Sequence, residues 1–243
     1  MIRRYTSEVP THDVHVWFRA TDALDEAAIA AATSVLSEEE REHYRRFRFA
    51  PDARDYAAAH ALLRHTLSLS GDRTPAEWQF EKTSAGKPLL IGDRADRAAF
   101  SLSHTRGMVT CAVTSGAEVG VDVECVDRDV DGDEIAARFF APAEAAQLLD
   151  VRGDARRDRF FDLWTLKEAL VKALGRGMAV SLKSLAFTVG AGGDIRLDAP
   201  DVDPDAWQFA LFAPSPRHRL AVAAARAPSN PAQIIFRSLA CLG

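Results

Sequence analysis

Cysteine is scarce in this sequence and follows no metal-binding or disulfide pattern. The three cysteines, Cys111, Cys125 and Cys241, are odd in number and include no closely spaced pair. A disulfide framework needs an even set, and a structural zinc site needs ligands at short, regular spacings. We therefore expect neither, and we predict that the cysteines remain thiols.

Long hydrophobic runs are also missing. No stretch reaches the roughly 18 consecutive apolar residues that a helix needs to span a membrane. The start of the chain, Met1–Glu8, becomes polar where a signal peptide would have its apolar segment. We predict a protein that does not associate with a membrane and that is located in the cytoplasm.

A sustained basic surface is the third absence. The chain has 30 Lys and Arg against 35 Asp and Glu, a formal net charge of -5, whereas nucleic-acid binding requires a basic face. We predict no nucleic-acid partner, so any anionic ligand must be met by a few local basic groups. With 243 residues, 47% of them hydrophobic, the chain can form one large domain or two of ordinary size.

Helix and strand patterns follow a similar order in the two halves of the chain. The first half predicts a strand, three helices and three strands, at residues 12–18, 25–36, 37–46, 53–69, 78–82, 100–103 and 108–114. The second half predicts a strand, three helices and four strands, at residues 119–124, 133–140, 142–149, 160–174, 185–189, 195–197, 207–212 and 219–224. A charged loop is expected at 152–158. We predict an α+β protein of two similar subdomains, residues 1–116 and 117–243, with the tail from residue 228 packing back.

The segment Trp164–Gly177 combines an apolar stripe with two charged residues. At about 100° per residue its leucines fall on one side of a helix, and Glu168 and Lys172 fall on another. A Glu and a Lys four residues apart usually form a surface ion pair. The pair gains a function only if another part of the chain supplies groups that need it.

The segment Val119–Glu124 alternates strictly between apolar and other residues. On a strand, Asp122 and Glu124 point the same way with α-carbons ~6.6–7 Å apart. Their side chains can close around one small cation, because carboxylates this close repel each other unless positive charge lies between them. An exposed edge strand is the other interpretation of the same pattern.

Three further groups admit more than one interpretation. Ser103 and His104 end a strand and point to opposite faces, which disfavours a hydrolase pair but allows both to donate to a phosphate. They can equally be a capped turn with a solvated histidine. Gly86-Lys87-Pro88 predicts a turn, either a solubilising loop or a ligand loop. The arginines between Arg45 and Arg64 can form a solvated helix face.

The order of these motifs is more specific than any one of them. Gly86-Lys87-Pro88 is followed by Phe100–Thr105, Gly120–Glu124, Arg138–Phe140 and Trp164–Gly177. In this order, over residues 37 to 177, the sequence resembles the 4′-phosphopantetheinyl transferases of the surfactin-synthetase-activating type. The resemblance implies a pseudo-dimer of two α+β halves, with the active site in the cleft between them, in a chain that acts as a monomer.

The resemblance also implies an activity. That family transfers the phosphopantetheine arm of coenzyme A to a serine of an apo acyl or peptidyl carrier protein and releases adenosine 3′,5′-bisphosphate, with a magnesium ion on the pyrophosphate. Carried over by position, Asp122, Glu124 and Glu168 are the expected metal ligands. Glu168 is also the expected general base, and Lys172 the expected partner of the leaving phosphate.

The resemblance implies coenzyme A contacts at Lys87, Ser103, His104, Asp122 and Lys172, with a protonated His104 on the 3′-phosphate. The chain departs from the family at two early lysine positions, which fall at about Glu40 and His43. Arginines nearby are expected to replace them, namely Arg46, Arg48 and Arg54. Carrier docking is expected along residues 126–140, with Arg128 or Arg138 as contacts.

Two other functions fit parts of the sequence. One is a different magnesium-dependent enzyme that cleaves a pyrophosphate or transfers a phosphoryl group on another nucleotide. The other is a binding protein that keeps the fold without turnover, against which the intact set of Asp122, Glu124, Glu168 and Lys172 argues. The sequence does not distinguish fatty-acid, polyketide and nonribosomal-peptide carriers, nor does it say whether acylated coenzyme A is accepted.

Overall fold

The computed structural model describes residues 13–69, 73–92, 98–128, 130–226 and 232–239. Its helices are α1 (Glu26–Ser34), α2 (Glu38–Arg45), α3 (Ala50–Ser68), α4 (Gly132–Phe139), α5 (Pro142–Leu149) and α6 (Asp154–Leu174). Its strands are β1 (Val14–Ala20), β2 (Phe80–Lys82), β3 (Pro88–Leu90), β4 (Ala99–Thr105), β5 (Met108–Thr114), β6 (Val119–Cys125), β7 (Ala186–Val189), β8 (Ile195–Asp198), β9 (Trp207–Ser215), β10 (His218–Ala225) and β11 (Ile234–Ser238). Within the described ranges, no helix is both long and apolar enough to cross a membrane.

Four layers make up the body of the protein. One sheet has the strand order β11-β1-β5-β4 and the other the order β6-β10-β9. A core of alternating side chains from both sheets, including Val16, Val121 and Val222, packs between them. Helix α3 covers the outer face of the first sheet, and α6 covers the outer face of the second. The predicted α+β class with two similar halves is confirmed, because each half contributes one sheet and one long covering helix.

The clearest differences from the sequence prediction concern the start of α6 and the strands around residue 80. Helix α6 begins at Asp154, so the charged loop predicted at 152–158 is wrong. Its charges occupy the exposed side of two helical turns, where Arg157 pairs with Asp154 and Arg156 pairs with Asp133. The strand predicted at 78–82 is shorter, because a 3₁₀ turn at Pro75–Glu77 precedes it. Its partner β3 was not predicted.

The chain crosses between the halves near its end. Strand β11 pairs in parallel with β1, with Val14 opposite Ile234, so this part of the tail extends the sheet of the first half. Cys111 and Cys125 are buried thiols, as the sequence predicts. Cys241 lies outside the described residues.

Candidate active site

The two sheets meet where edge strand β4 lies beside edge strand β6. Hydroxyl groups on one face of β4 accept the backbone N–H groups of β6. Ser101 Oγ accepts from Val121 at 3.0 Å, and two further pairs repeat the contact: Ser103 with Val123 at 3.4 Å, and Thr105 with Cys125 at 3.2 Å. The offset is 20 residues at each step, so the strands run parallel across this boundary. We call Ser101, Ser103 and Thr105 the hydroxyl row.

The hydroxyl row also reaches the carboxylates of β6. Ser103 Oγ donates to Asp122 Oδ1 at 2.8 Å, and Thr105 Oγ1 donates to Glu124 Oε2 at 3.3 Å. For Ser101 the residue at the corresponding position is Gly120, which has no side chain. The alternation Ser-x-Ser-x-Thr was the sequence signal for this row, and only its Ser103 was singled out there.

Gly120 allows α6 to lie unusually close to β6. A Cβ built at this glycine would lie 1.9 Å from the Ala169 carbonyl oxygen and 2.6 Å from the Ala173 nitrogen. A glycine inside a strand often marks such a close approach. The apolar stripe of α6 is buried as predicted, with Leu166 and Leu170 fully inaccessible. The face that carries Glu168 and Lys172 is therefore brought against the carboxylates of β6.

Lys172 is bonded to β6 and to the hydroxyl row. Its Nζ lies 2.7 Å from Asp122 Oδ1 and donates to Ser103 Oγ at 2.9 Å and to the Val121 carbonyl at 3.2 Å. No ion pair links Lys172 to Glu168 among the contacts that the structure describes. The surface pair expected for a Glu and a Lys four residues apart is therefore not formed.

Two acidic groups of the site, Glu168 and Glu124, have raised pKa values. Burial is the largest cause for Glu168, and the charges of Asp122 and Glu124 raise its pKa further, against the opposing effect of Lys172. Burial also raises the pKa of Glu124, and Asp122 adds to it. Arg128 opposes this through an ion pair of 2.5 Å with Glu124 Oε2.

The fit of these residues to a cation depends on their free oxygens. Among the described residues, no three His, Cys, Asp or Glu side chains are grouped as a ready metal site, because Asp122 Oδ1 and Glu124 Oε2 face Lys172 and Arg128. The second oxygen, Asp122 Oδ2, is buried without a hydrogen-bond partner, which is costly unless a ligand satisfies it. Together with the mutual repulsion of the three acids, this oxygen fits a hard divalent cation whose remaining ligands come from substrate and water.

A cavity of about 430 Å³ opens beside these groups. Glu168, Lys172 and Lys87 contribute its charged walls, and Phe100 and Leu182 belong to its apolar lining. The volume suits a small-molecule ligand. Part of the cavity wall is therefore charged, and much of the remainder is apolar.

Lys87 is turned inward from its loop. Its Nζ lies 2.7 Å from Glu118 Oε2 and donates to the Ala173 carbonyl at 3.0 Å, near the C-terminal end of α6. A cation at that end of a helix is favourable, because the last carbonyls carry partial negative charge. The side chain is 17% exposed, so Lys87 is not a solubilising group at a loop tip.

His104 is exposed on β4, next to the hydroxyl row. Partial desolvation lowers its pKa, and the positive charges of His60 and Lys172 lower it further. The imidazole is therefore biased to the neutral form in this structure. The sequence analysis expected a protonated His104 on the 3′-phosphate. Protonation would require the negative charge of that phosphate to raise the pKa of His104 again.

The structure does not bring the three expected arginines to the cavity wall as the described residues delimit it. Arg46 pairs with Glu42 on the surface, and the Arg48 guanidinium lies over the Phe49 ring. Arg54 is paired with Asp22 and Asp55. Each of the three guanidinium groups therefore has a contact away from the cavity, although only that of Arg54 is closely paired with carboxylates.

The two positions that depart from the family have structural partners. Glu40 binds Arg64 Nη2 at 2.8 Å, and its other oxygen lies 2.8 Å from His60 Nδ1. His43 stacks among aromatic rings, with Tyr56 at 4.9 Å and Phe47 at 5.2 Å between centroids. Glu40 therefore fixes α2 to α3.

Sequence reasoning missed a buried ion pair beside Glu168. Lys167 and Glu144 are both fully buried, with Nζ 2.6 Å from Glu144 Oε2, and Lys167 also donates to the Leu182 and Leu185 carbonyls. Glu144 in turn accepts from the Phe187 N–H. The network connects α6 to α5 and to residues 182–187, the first of which lines the cavity. The charge of Lys167 gave no signal of burial.

Two family models match the chain. A model described as the 4′-phosphopantetheinyl transferase superfamily matches residues 118–225. A second, described as the N-terminal part of 4′-phosphopantetheinyl transferase, matches residues 24–116. The two matches together account for most of the chain, and both carry the same enzyme description.

Individual proteins agree with the family models. The 4′-phosphopantetheinyl transferase Sfp of Bacillus subtilis is 31% identical over 205 residues, which cover 84% of this chain and 88% of that protein. The 4′-phosphopantetheinyl transferase HetI of Nostoc is 33% identical over 169 residues, with 69% and 70% covered. Among solved structures, the holo-acyl-carrier-protein synthase of Thermotoga maritima is 27% identical, covers 44% of this chain and 62% of its own, and has a TM-score of 0.38.

The resemblance inferred from the order of the sequence motifs is thereby confirmed. The matched ranges include the candidate site residues described above, namely Lys87, the hydroxyl row, Asp122, Glu168 and Lys172. The chain belongs to the 4′-phosphopantetheinyl transferases, the enzymes that transfer the phosphopantetheine arm of coenzyme A to carrier proteins.

Proposed function

We propose that this transfer depends on Mg²⁺ and that Asp122, Glu124 and Glu168 hold the ion. The observation that carries the proposal is the buried, unpartnered Asp122 Oδ2 beside two further acids of raised pKa. When bound, the ion would neutralise the charge that develops on the pyrophosphate of coenzyme A. The ion pair of Asp122 with Lys172 is then the resting arrangement of the site.

Glu168 is proposed as the general base. No hydrogen bond or ion pair joins its carboxylate to another residue that the structure describes, and burial raises its pKa, which makes it a better proton acceptor. It takes the proton of the carrier serine hydroxyl, whose oxygen forms the new bond to the β-phosphorus. The bond from that phosphorus to the oxygen of the departing bisphosphate breaks.

Lys172 is proposed to act on the leaving group. Its Nζ is close to Asp122, and its side chain is 31% exposed, so it can reach a phosphate oxygen beside the cavity wall that it lines. The ammonium neutralises the charge that accumulates on adenosine 3′,5′-bisphosphate as the bond breaks. Glu168 and Lys172 then act on opposite sides of the β-phosphorus, one on the entering serine oxygen and the other on the leaving bisphosphate.

Coenzyme A is proposed to lie along the cavity. Lys87 and Lys172 offer positive charge at its walls, and His104 and Ser103 lie on the adjoining strand for the 3′-phosphate. The apolar lining suits the pantetheine arm. Arg46, Arg48 and Arg54 remain proposed phosphate contacts, each of which would have to exchange its present partner for the ligand.

The two halves, residues 1–116 and 117–243, are proposed to act within one monomer, because both strands that carry the site belong to a single chain. The carrier protein is proposed to dock along residues 126–140. Arg128 supports this placement, since it pairs with Glu124 of the site and is 46% exposed. An acidic carrier would compete with Glu124 for this guanidinium.

The test is the intact mass of an apo carrier protein after incubation with coenzyme A, Mg²⁺ and this protein. We expect a gain equal to the phosphopantetheine arm, and none when a chelator removes the metal. Several carriers, from fatty-acid, polyketide and peptide systems, should be tried in parallel. Modification that persists fully in the chelator, with no divalent ion present, would disprove the metal dependence but not the transfer itself.

A further inference from the structure

Thr105 occupies the last position of the hydroxyl row and has two contacts. Its Oγ1 accepts the Cys125 N–H at 3.2 Å and donates to Glu124 Oε2 at 3.3 Å. Each hydroxyl of the row bonds the N–H of one residue of β6, and the second and third also bond the carboxylate of the residue before it. The row therefore fixes strand register and carboxylate orientation with the same atoms.

The surroundings of Glu124 explain why its carboxylate needs a partner besides Arg128 to hold its orientation. The carboxylate is 14% exposed, and its other partner is Arg128, which is 46% exposed. Ion pairs with an exposed partner hold a geometry weakly, because solvent and salt compete for both charges. Thr105 is the partner of Glu124 that faces the protein interior. It belongs to β4, whose hydroxyl row bonds to the backbone of β6 at each of its three positions.

We propose that Thr105 is a positioning residue for the transfer reaction: its hydroxyl holds the Glu124 carboxylate in the orientation that the cation requires, through a bond anchored on the backbone of Cys125. This inference rests on the proposed function, since it concerns the ligands of the proposed metal. Outer partners of metal ligands generally change metal affinity about 10- to 100-fold when they are removed.

The hydroxyl row supplies its own control. Ser101 makes the same kind of backbone bond as Thr105, to the Val121 N–H at 3.0 Å, but Gly120 gives it no carboxylate to orient. Removing the Ser101 hydroxyl therefore disturbs the boundary between the sheets without touching a proposed ligand. Comparing the Ser101 and Thr105 variants therefore separates the loss of a bond between the strands from the loss of carboxylate orientation.

The experiment measures Mn²⁺ binding to the full chain with coenzyme A at a concentration that saturates every variant, because Ser101 also lines the cavity. No carrier protein is present, so that no turnover occurs. Electron paramagnetic resonance measures the free hydrated ion, and the bound fraction follows by difference. We expect Thr105→Val, which keeps the size and removes the hydroxyl, to weaken Mn²⁺ about tenfold. Thr105→Ser, which keeps the hydroxyl, should retain the wild-type affinity. Ser101→Ala should lower the melting temperature yet leave the Mn²⁺ affinity unchanged.

The outcomes separate the two levels of inference. If the wild type binds no Mn²⁺, the proposed metal site is wrong, and the role of Thr105 is wrong with it. If the wild type binds and Thr105→Val binds equally well, only the positioning role is overturned. Equal weakening by Ser101→Ala also overturns it, since the row would then act only through strand register. Should Thr105→Val not fold, Thr105→Ala gives the same comparison.

Discussion

Lys172 forms its ion pair with Asp122 on the neighbouring strand, although Glu168 lies one turn earlier on the same helix. The Nζ to Oδ1 distance is 2.7 Å, and the same ammonium donates to Ser103 Oγ at 2.9 Å. One cation thus joins α6, β6 and β4. Lys172 therefore affects Glu168 only through its more distant charge and forms no ion pair with it. A carboxylate without an ion-pair partner is free to accept a proton, as a general base must.

The first prediction concerns the loss of this cation. Lys172→Met removes the counter-charge of Asp122, which is 7% exposed, and leaves Oδ1 with the Ser103 hydroxyl alone. A buried polar group that loses a partner costs about 1–3 kcal/mol, and a charged one more. We expect a lower free energy of unfolding by this amount, measured by urea denaturation, together with loss of turnover. Mg²⁺ should restore more stability to the variant than to the wild type, because it can neutralise the same carboxylate.

The exposed Lys183 on the same half provides the control. Lys183→Met should change the free energy of unfolding by no more than about 0.5 kcal/mol, with or without Mg²⁺. An unchanged stability for Lys172→Met would mean that the ion pair with Asp122 contributes nothing in solution. Equal Mg²⁺ effects on variant and wild type would argue against metal binding at Asp122.

The second prediction concerns the proposed base. Glu168→Gln keeps the shape of the side chain and removes its ability to accept a proton, so kcat should fall about 10²- to 10⁴-fold. Binding of coenzyme A without metal should change little, as measured by calorimetry. Glu26→Gln, at an exposed position on α1, is the matched control. A near-normal kcat for Glu168→Gln would remove Glu168 from the role of base.

The sequence was sufficient for the parts of the site that follow from local pattern. Alternation on β6 placed Asp122 and Glu124 on one face, and helical periodicity placed Glu168 and Lys172 away from the buried stripe. Motif order then indicated that these separate faces belong to one site. The two placements require only the repeat of a single strand or helix, which the residues themselves encode, whereas joining them into one site required the family resemblance.

Partners that depend on tertiary packing could not be predicted in this way. The bond of Lys172 to Asp122 requires the close approach at Gly120, and the inward turn of Lys87 requires the end of α6 beside it. Arg54 looked available in the sequence because Asp22, one of its two partners, is 32 residues away. The burial of Lys167 could not be predicted either, because its compensating acid, Glu144, lies on another helix.

The third prediction tests the close approach itself. Gly120→Ala places a Cβ within 1.9 Å of the Ala169 carbonyl oxygen, so α6 must move away from β6. Overpacking of this kind costs about 1–3 kcal/mol or more, and it displaces Glu168 and Lys172 from the acids of β6. We expect a lower melting temperature and a kcat reduced more than tenfold in the folded fraction.

Gly190→Ala is the control for that substitution. The nearest atom to its added Cβ is 3.7 Å away on Asp194, which is an ordinary van der Waals distance. This variant should match the wild type in melting temperature and kcat. If Gly120→Ala also matched the wild type, the contact between α6 and β6 would have to be looser in solution than the structure shows.

The last prediction is a pH dependence of stability that comes from Glu40. Burial alone would raise its pKa, but the hydrogen bonds from His60 and the Ser37 N–H and the charge of Arg64 outweigh it and lower the pKa to about 2 from 4.5. A folded-state pKa below the unfolded value contributes stability that is complete above pH 4.5 and is lost as the pH falls toward 2. Between pH 5 and pH 3 the loss should be about 2 kcal/mol. Urea denaturation at these two pH values should show a clearly smaller pH effect for Glu40→Gln than for the wild type, and an equal effect would assign the acid sensitivity to other carboxylates.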